Sequence, residues 1–299
     1  MYHCIVNPTA GRAEGRKLIP LIKKALKDVD IKVTEQTMDA ARWAKEACAA
    51  GSRGIIGIGG DGTMQEIVTG MLNGRDKCDT PLGVISCGSG NDWRRSFQKG
   101  DNKASLQAIF EGNTRAIDAI RIDTVQASMA CINIANIGLD ARITRNAQPF
   151  KKFFGKNSYI LSAIISTFRH KSTPITMYIE DEERVEEEFT FVAVCNGQYY
   201  GGGMRITPSA EMDDGRITLL LVKAMSGLQA LTLFPVVLMG RHTGLRVVRY
   251  VECERVVFEL EDEQTLCLDG NLYECGGRIE FKILPGAVNV FHLHTTSVL

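Results

Sequence analysis

The segment Gly59-Gly60-Asp61-Gly62-Thr63 limits the possible folds of this chain more than any other stretch. It follows the apolar run 55–58 directly and leads into the amphipathic run 64–72, so a strand should end here and a helix should begin. Glycines at such a junction allow positive φ angles and let several backbone N–H groups approach one anion, where the helix dipole also favours negative charge. The segment therefore predicts a phosphate-binding loop.

The carboxylate of Asp61 is the unusual part of this loop. A phosphate would repel it unless a metal ion bridged the two groups, and Mg²⁺ commonly does so. The segment matches neither the dinucleotide fingerprint G-x-G-x-x-G nor the phosphate loop G-x-x-x-x-G-K-[ST], so the roles of those motifs do not transfer. We therefore expect a nucleotide with magnesium, and other parts of the chain must indicate the substrate.

The chain is long enough for two domains, because its 299 residues exceed the usual size of one hydrophobic core. Its hydrophobic fraction of 44% and charged fraction of 23% are typical of a soluble globular protein. Lys plus Arg and Asp plus Glu number 35 each, so the overall charge gives no reason to expect nucleic acid as a partner.

The nine cysteines indicate a reducing compartment, since they are scattered singly with no C-x-x-C pair. No charged and then apolar leader precedes the first predicted strand at 2–6. The apolar windows 159–168 and 228–239 are too short to span a bilayer. We therefore expect a cytoplasmic protein without a transmembrane segment.

Strand and helix patterns alternate through the first third of the chain. Predicted strands at 2–6, 31–35, 54–58 and 82–85 are separated by predicted helices at 15–27, 40–50 and 64–72. Near-continuous apolar strands in such an alternation predict a parallel sheet with helices on both faces and ligands at the carboxyl ends of the strands. Three loops, 7–11, 59–63 and 87–92, fall at that edge and should meet in one crevice.

From about residue 117 the pattern changes to short alternating segments bounded by Gly, Asp and Asn. This pattern predicts antiparallel sheets in a sandwich or barrel-like body, interrupted by helical stretches at 150–169 and 228–241. The predicted fold class is therefore an α/β N-terminal domain followed by a mostly antiparallel β-sandwich domain. The predicted boundaries are 1–118 and 119–290, with a segment 291–299 that could return to the first domain.

Five motifs together resemble the soluble diacylglycerol kinase family, which includes sphingosine kinases, ceramide kinases and bacterial lipid kinases. The motifs are Asn7-Pro8-x-x-Gly11, Gly59-Gly60-Asp61-Gly62-Thr63, Ser89-Gly90-Asn91-Asp92, Asn136-Ile137-Gly138-Leu139-Asp140, and Pro208-Ser209-Ala210 with Asp213-Asp214-Gly215. They occur in the family's order and at its usual spacing, and the resemblance covers essentially the whole chain. NAD kinase and phosphofructokinase share the Gly-Gly-Asp-Gly core, but the Asn-Pro loop and the Asp-Asp-Gly turn look like those of the lipid kinases.

The resemblance implies a phosphofructokinase-like, Rossmann-like N-terminal domain that binds ATP and a C-terminal β domain that closes over a lipid, with the active site between them. The implied cofactors are ATP and Mg²⁺. The implied partner is a lipid substrate at a membrane surface, so the protein would be cytoplasmic and peripherally membrane-associated, with no nucleic acid involved. Whether it forms a homodimer stays open.

The candidate nucleotide-binding residues come from the first three motifs. Backbone N–H groups of Gly60 and Gly62 can reach phosphate, and the hydroxyl of Thr63 can cap the helix. Ser89 and Asn91 could hydrogen-bond nucleotide or lipid headgroup, although both are also ordinary loop formers. The complete set of candidates is Asn7, Pro8, Gly11, Gly59, Gly60, Gly62, Thr63, Glu66, Ser89 and Asn91.

The candidate metal ligands are four aspartates. Asp61 and Asp92 would hold magnesium, Asp92 through water, because this ion keeps much of its hydration shell. Asp92 could instead be a plain helix N-cap, and Glu66 could simply complement the helix dipole. Asp213 and Asp214 resemble the family's structural-metal turn, although an ordinary Asp-Gly turn explains them nearly as well.

The chain departs from the family near its end. The family's Asp-Gly-Glu, whose glutamate is thought to act as general base, corresponds here to Asp269-Gly270-Asn271. Because an amide cannot accept a proton at neutral pH, the base role does not transfer to Asn271. Asp269 or Glu274 could substitute if either points into the same crevice. The candidate catalytic residues are therefore Asp61, Asp92 and Asp269.

The predicted function is an ATP- and Mg²⁺-dependent kinase that phosphorylates the hydroxyl of diacylglycerol or a related lipid. General-base help is worth about 10² to 10⁴ in rate, and phosphoryl transfer depends mainly on positioning and charge neutralisation, so Asn271 is compatible with a slow kinase. Two alternatives stay open: a noncatalytic nucleotide or lipid binder, and a kinase of a soluble alcohol.

Overall fold

The computed structural model describes residues 1–26, 28–98, 100–138 and 172–293, and it divides the chain into two compact units. Unit 1 comprises Met1–Ala119, Met212–Asp214 and the chain from Leu284 onward; unit 2 comprises Ile120–Glu211 and Gly215–Ile283. The first boundary lies next to the one predicted at 118. The return to unit 1 begins at Leu284 instead of 291, because the end of the last strand pairs with a strand of unit 1.

Unit 1 is an α/β domain built on a parallel sheet. Its elements are β1 Tyr2–Val6, α1 Ala10–Ala25, β2 Val29–Val33, α2 Asp39–Ala49, β3 Gly54–Gly59, α3 Asp61–Leu72, β4 Cys78–Ser86, α4 Asp92–Phe97 and α5 Asn102–Glu111. β1 lies between β2 and β3, and β4 pairs with β3, all in parallel. The C-terminal part of β15 (Asn271–Phe291) pairs with β4, also in parallel. Every residue of β3 is buried, as expected for a central strand with helices on both faces.

The helix α5 is not predicted from the sequence, and α4 enters only through the alternative that Asp92 is a helix N-cap. In the structure the N-cap is Asn91, and Asp92 is the first residue of α4. α4 has only six residues, DWRRSF, which is too short for a helical period to show. α5 carries a regular N-cap, since the carboxylate of Asp101 accepts the N–H groups of Lys103 and Ala104 at 3.0 and 3.2 Å.

Unit 2 is mainly antiparallel sheet. Its elements are β6 Ser128–Cys131, β7 Ile134–Gly138, β8 Thr173–Ile179, β9 Glu183–Cys195, β10 Tyr199–Tyr200, β11 Met204–Arg205, β12 Ile217–Lys223, α6 Gly227–Leu238, β13 Val248–Cys253, β14 Arg255–Leu268 and most of β15, while β5 Thr114–Asp123 has residues in both units. β9 pairs with β7, β8 and β12, and β14 pairs with β7, β8 and β15, always antiparallel. Fully buried side chains such as Phe258 and Phe281, whose ring centroids are 4.9 Å apart, fill the core.

The described residues of unit 2 include a tight hairpin turn and one of the two expected helices. The acidic run at 180–188 includes the tight turn between β8 and β9, in which Ile179 pairs with Glu183 and both Glu180 and Asp181 have positive φ. The helix expected at 228–241 is α6. The helix expected at 150–169 lies outside the described residues, as do Leu139 and Asp140 of the fourth motif. None of the described helices is both long and apolar enough to cross a membrane.

Candidate functional site

Three loops of unit 1 lie side by side at the carboxyl edge of its parallel sheet. They follow β1, β3 and β4, which are neighbours or next neighbours in the sheet. The N–H of Asn7 donates to the carbonyl of Ile58 at 2.9 Å, and the N–H of Cys87 donates to the carbonyl of Gly59 at 2.9 Å. The loops therefore meet where the alternation of strands and helices predicted that they would.

Asn7 fastens the first loop to the start of α3. Its amide Nδ2 donates to Oγ1 of Thr63 at 3.0 Å, and its Oδ1 accepts from the N–H and the hydroxyl of Thr9 at 3.0 and 2.9 Å. Thr63 is buried. The structure thus gives these two predicted site residues a direct contact with each other across 56 positions of sequence.

The loop backbones approach so closely that side chains cannot fit between them. A Cβ on Gly11, which has a φ of +58°, would lie 2.0 Å from the carbonyl oxygen of Cys87. A Cβ on Gly88 would lie 2.6 Å from the Cα of Gly60. Glycine is therefore required where the first and third loops meet and where the second and third loops meet, and this close packing leaves the backbone accessible to a bound anion.

Asp61 and Asp92 border the same small space beside Gly90. A Cβ on Gly90 would lie 3.0 Å from Oδ2 of Asp61 and 3.1 Å from Oδ2 of Asp92. The Asp61 carboxylate also accepts the N–H groups of Asp92 and Trp93, at 3.0 and 3.1 Å, and so caps α4. The third loop and α4 are thus held against the first residue of α3.

The electrostatics of this pair favour a cation. Burial, followed by the negative charge of Asp92, raises the pKa of Asp61 to about 6. Asp92 is itself buried and pairs with the guanidinium of Arg95 at 2.5 Å. Burial and the mutual repulsion of the two carboxylates thus oppose their negative charge, and a further cation would offset that cost.

The residues present fit Mg²⁺. Oδ1 of Asn91 is buried and has no hydrogen-bond partner within the described part of the chain, and a Cβ on Gly88 would lie 3.1 Å from it. Carboxylate and amide oxygens are the donors that this ion prefers. Among the described residues no cluster of three His, Cys, Asp or Glu side chains could hold a metal alone, so phosphate oxygens and water would complete the coordination.

The remaining loop candidates occupy different positions. Pro8 lies in the turn before α1, Gly62 lies in the first turn of α3, and Ser89 is exposed in the loop after β4. Glu66 points elsewhere: its Oε2 accepts the N–H of Met38, the N-cap residue of α2, at 3.1 Å, and burial raises its pKa. The structure therefore shows Glu66 joining α3 to α2, and its role at the nucleotide stays a prediction.

Asp213 and Asp214 belong to unit 1. The carboxylate of Asp213 accepts from Nε and Nη2 of Arg115, at 3.1 and 2.5 Å. A metal ion at this turn would have to compete with that guanidinium for Asp213. The metal role of these two aspartates stays a prediction.

Asp269 has a different task from the one the sequence suggested. Its carboxylate accepts the N–H groups of Ile132, Asn133 and Ile134 at 2.9, 3.1 and 2.9 Å, all within unit 2. It is buried, and it lies with a φ of +50° in the turn between β14 and β15. Three backbone N–H donors thus occupy the oxygens of this carboxylate. The structure therefore argues against Asp269 as the substitute base and assigns it to holding the entry of β7.

The other residues weighed for the base role lie in the same hairpin of unit 2. Asn271 begins β15 and pairs with Leu268 across the turn. Glu274 is exposed and accepts from the hydroxyl of Thr265 on β14 at 3.1 Å. This contact of Glu274 is a cross-strand pair typical of an exposed sheet face.

Three further residues of unit 1 were missed in the sequence. Arg95 pairs with Asp92, and its i,i+3 spacing on a charged hexapeptide was an available signal. Gly88 has the tightest contact of the third loop but lies outside the Ser-Gly-Asn-Asp motif. Asp118 is buried and accepts the N–H of Gly286 at 2.7 Å, a contact across 168 positions that no local pattern could indicate.

Comparison with known families matches both parts of the chain. A model of the diacylglycerol kinase catalytic domain matches residues 1–122. A model of the YegS C-terminal NAD kinase beta sandwich-like domain matches residues 133–292. The second match alone covers more than half of the chain.

Curated relatives and solved structures agree with these matches. A probable lipid kinase YegS-like protein of Xanthomonas campestris is 29% identical over 262 residues, which cover 85% of this chain and 84% of the relative. A diacylglycerol kinase of Mycobacterium tuberculosis is 26% identical over 293 residues, covering 96% and 93% of the two chains. A crystal structure of a diacylglycerol kinase from Bacillus anthracis shares the fold, with a TM-score of 0.69 at 20% identity and coverage of 98% and 97%.

These findings confirm the resemblance carried by the five motifs and the predicted fold class of an α/β domain followed by a β-rich domain. The chain belongs to the YegS and diacylglycerol kinase family of lipid kinases, which are ATP-dependent phosphotransferases that act on an alcohol group.

Proposed function

We propose that this protein transfers the γ-phosphoryl group of ATP to the hydroxyl of diacylglycerol or a closely related lipid, with Mg²⁺ held at Asp61 and Asp92. One observation carries the proposal: two adjacent carboxylates border a glycine-lined loop cluster at the start of α3, and the pKa of Asp61 is raised to about 6 by burial and by Asp92. Such a charge arrangement is costly unless a cation and a phosphate complete it.

The first part of the mechanism is the binding of the nucleotide phosphates. Backbone N–H groups at Gly60 and Gly62 lie at the amino end of α3, where the helix dipole favours an anion. The bond from Asn7 to Thr63 fixes the first loop against that helix end. Gly88 keeps the third loop close enough for its backbone to contribute.

The second part is charge neutralisation. A bound Mg²⁺ would supply positive charge to the phosphate oxygens during transfer. Asp61 and Asp92 are the carboxylates that would hold it, and Arg95 orients Asp92 through their 2.5 Å ion pair. Because Asp61 also caps α4, its carboxylate is fixed by two backbone N–H bonds before any ligand arrives.

The acceptor of the lipid hydroxyl's proton is neither Asn271 nor Asp269. Asn271 cannot accept it, and Asp269 is occupied by three backbone N–H groups. Phosphoryl transfer passes through a loose transition state in which the attacking hydroxyl loses its proton late, so positioning and charge neutralisation can sustain a slow reaction. The same observation favours one second candidate, a nucleotide-binding protein that no longer catalyses transfer.

The test of the metal site uses Asp61→Asn in a mixed-micelle assay with labelled ATP and a panel of lipid alcohols. We expect phosphorylation to fall by about 10²-fold or more, as for the loss of one electrostatic group that stabilises the transition state. The matched control is Asp79→Asn, which removes a carboxylate that is 91% exposed and lies in the amino half of β4. Equal activity of Asp61→Asn and wild type would contradict the metal assignment.

The test of the base uses Asn271→Glu. If the missing base limits chemistry, turnover should rise by about 10²-fold while the affinity for ATP stays constant. No phosphorylation of any lipid by wild type or by Asn271→Glu, with ATP binding intact, would instead support the noncatalytic candidate. Phosphorylation of a dissolved alcohol without micelles or vesicles would indicate that the substrate is a soluble alcohol and not a lipid.

A further inference from the structure

The thiols of Cys48 and Cys78 are in direct contact. Cys48 lies in the last turn of α2 and Cys78 is the first residue of β4, and their sulfur atoms are 3.3 Å apart. A disulfide bond is about 2.05 Å long, so the sulfurs need to approach by only about 1.2 Å to form one. Both residues belong to unit 1. Neither cysteine belongs to the five motifs or to the loops of the candidate site.

This pair differs from the other cysteines in reactivity. A hydrogen bond from the Cys48 thiol, together with the backbone N–H and the side chain of Thr80, lowers the pKa of Cys78 to about 6. Burial raises the pKa of Cys87 and Cys275 to about 11. The same contact raises the pKa of Cys48, so Cys78 is the thiol of the pair that ionises near neutral pH, while Cys87 and Cys275 stay protonated there.

One thiol of the pair, that of Cys48, is accessible. Cys48 is half-buried, whereas all the other cysteines are buried. Metal binding is not the better explanation, because in the described part of the chain no group of three His, Cys, Asp or Glu residues could hold a metal ion. Two contacting thiols, one of them open to solvent, instead match the arrangement of a reactive dithiol.

We propose that Cys48 and Cys78 are a reversible oxidation site that forms an intramolecular disulfide with a low-molecular-weight disulfide as the oxidant. A thiolate of the pair attacks one sulfur of the oxidant, forming a mixed disulfide and releasing one small thiol. The second cysteine then attacks the protein sulfur of that mixed disulfide and releases the other small thiol. Two protein thiols are oxidised, the S–S bond of the oxidant is reduced, and the two thiol protons end on the released small thiols.

The cross-link would act on stability more than on the loops at the candidate site. It joins the end of α2 to the start of β4 and encloses β3 and α3 in a covalent loop. Closing such a loop restricts the unfolded chain and stabilises the folded state. Cys78 begins β4, whereas the third loop follows the other end of the strand at Ser86, about 25 Å away at the usual rise per residue.

The experiment uses the full chain and oxidised glutathione. We expect the treated protein to lose two of its nine free thiols, to yield a peptide cross-linked between Cys48 and Cys78 in mass spectrometry, and to melt roughly 5 °C higher. Dithiothreitol should reverse all three changes. Cys275→Ser should behave like wild type, because that cysteine is buried and outside the pair.

The variant Cys48→Ser isolates the pair, since it keeps Cys78 but removes its partner. We expect it to show neither the cross-link nor the rise in melting temperature. Three results would overturn the proposal: retention of all nine thiols in wild type, a stable glutathione adduct on either cysteine without a cross-link, or the same melting shift in Cys48→Ser.

Discussion

At the residue scale, Asp61 is subject to two opposing influences on its charge, hydrogen bonding and burial. It accepts two N–H groups to cap α4, which favours its charged form, yet burial and Asp92 oppose that charge and raise its pKa to about 6. The second influence is the larger one. The carboxylate is thus fixed in place, but its negative charge is only partly stabilised. A metal ligand is expected to have these two properties.

This balance predicts a pH dependence. Asp61 has a higher pKa in the folded protein than the 3.8 of an unperturbed aspartate, so its ionisation costs folding stability above pH 6, and the cost disappears as the pH falls toward 4. Asp61→Asn removes that cost at neutral pH. We therefore expect the melting temperature of the variant minus that of wild type to be a few degrees more positive at pH 7.5 than at pH 4.5, without ligands. A difference that does not change with pH would contradict the raised pKa.

Asp269 shows the opposite case, a carboxylate whose negative charge is stabilised by three backbone N–H donors. Asp269→Asn keeps the shape and tolerates the positive φ, but it loses the charge that three N–H groups share. We expect a loss of about 2 kcal/mol in the free energy of unfolding, measured by urea denaturation. Glu274→Gln, at an exposed site on the same hairpin, should change it by less than about 0.5 kcal/mol. Equal stability of the two variants would argue against a structural role for Asp269.

At the element scale, α2 and α3 form the support behind the second loop. A Cβ on Gly70 of α3 would lie 1.9 Å from the carbonyl oxygen of Ala41 of α2, so the two helices are in backbone contact. Glu66 adds a cap from α3 to the start of α2. The amino end of α3 is therefore held by packing that does not depend on a ligand, which is the preorganisation that phosphate binding needs.

The glycine contacts between the loops give a prediction at this scale. Gly88→Ala would place a Cβ 2.6 Å from the Cα of Gly60, which forces the second and third loops apart. We expect the affinity for ATP to fall about tenfold or more, measured by calorimetry. Gly244→Ala is the matched control, because a Cβ there meets nothing within 4 Å and the backbone φ is not positive. Similar ATP affinity in both variants would contradict the role given to the loop contact.

At the scale of the whole molecule, the candidate nucleotide site is assembled from distant parts of unit 1. Its loops come from residues 7–11, 59–63 and 87–92, and the sheet that carries them is completed by the C-terminal part of β15. A ligand that bridges these loops should therefore protect segments that are far apart in sequence. Strands β7 and β14 belong to unit 2 and carry none of these three loops.

Hydrogen exchange can measure this protection. With Mg-ATP we expect slower exchange in all three loops and at the start of α3, and no change in β7 and β14, which serve as internal reference. The result should require Mg²⁺, and Asp61→Asn should weaken it, since the carboxylate pair would no longer hold the ion. Protection confined to unit 2 would place the nucleotide elsewhere.

Much of the fold and the position of the candidate loops could be predicted, because both depend on the pattern of neighbouring residues along the chain. The parallel sheet follows from apolar strands that alternate with helices, and the loop edge follows from strand direction. The family resemblance came from short motifs whose residues stand together in sequence, and the family models confirmed it. Asp61 and Asp92 could be placed from the sequence because each is the first residue of a helix, α3 or α4, while their roles as ligands stay predictions.

The sequence by itself thus determined the fold class, the loop edge and the kind of chemistry. Only the tertiary structure decided the surroundings of each carboxylate: Asp269 is occupied by backbone N–H groups from positions more than 130 residues away, whereas Asp61 is buried beside the negative charge of Asp92. The reason is physical, since burial, charge and hydrogen bonding of a side chain depend on neighbours in space, and a motif specifies only its neighbours along the chain.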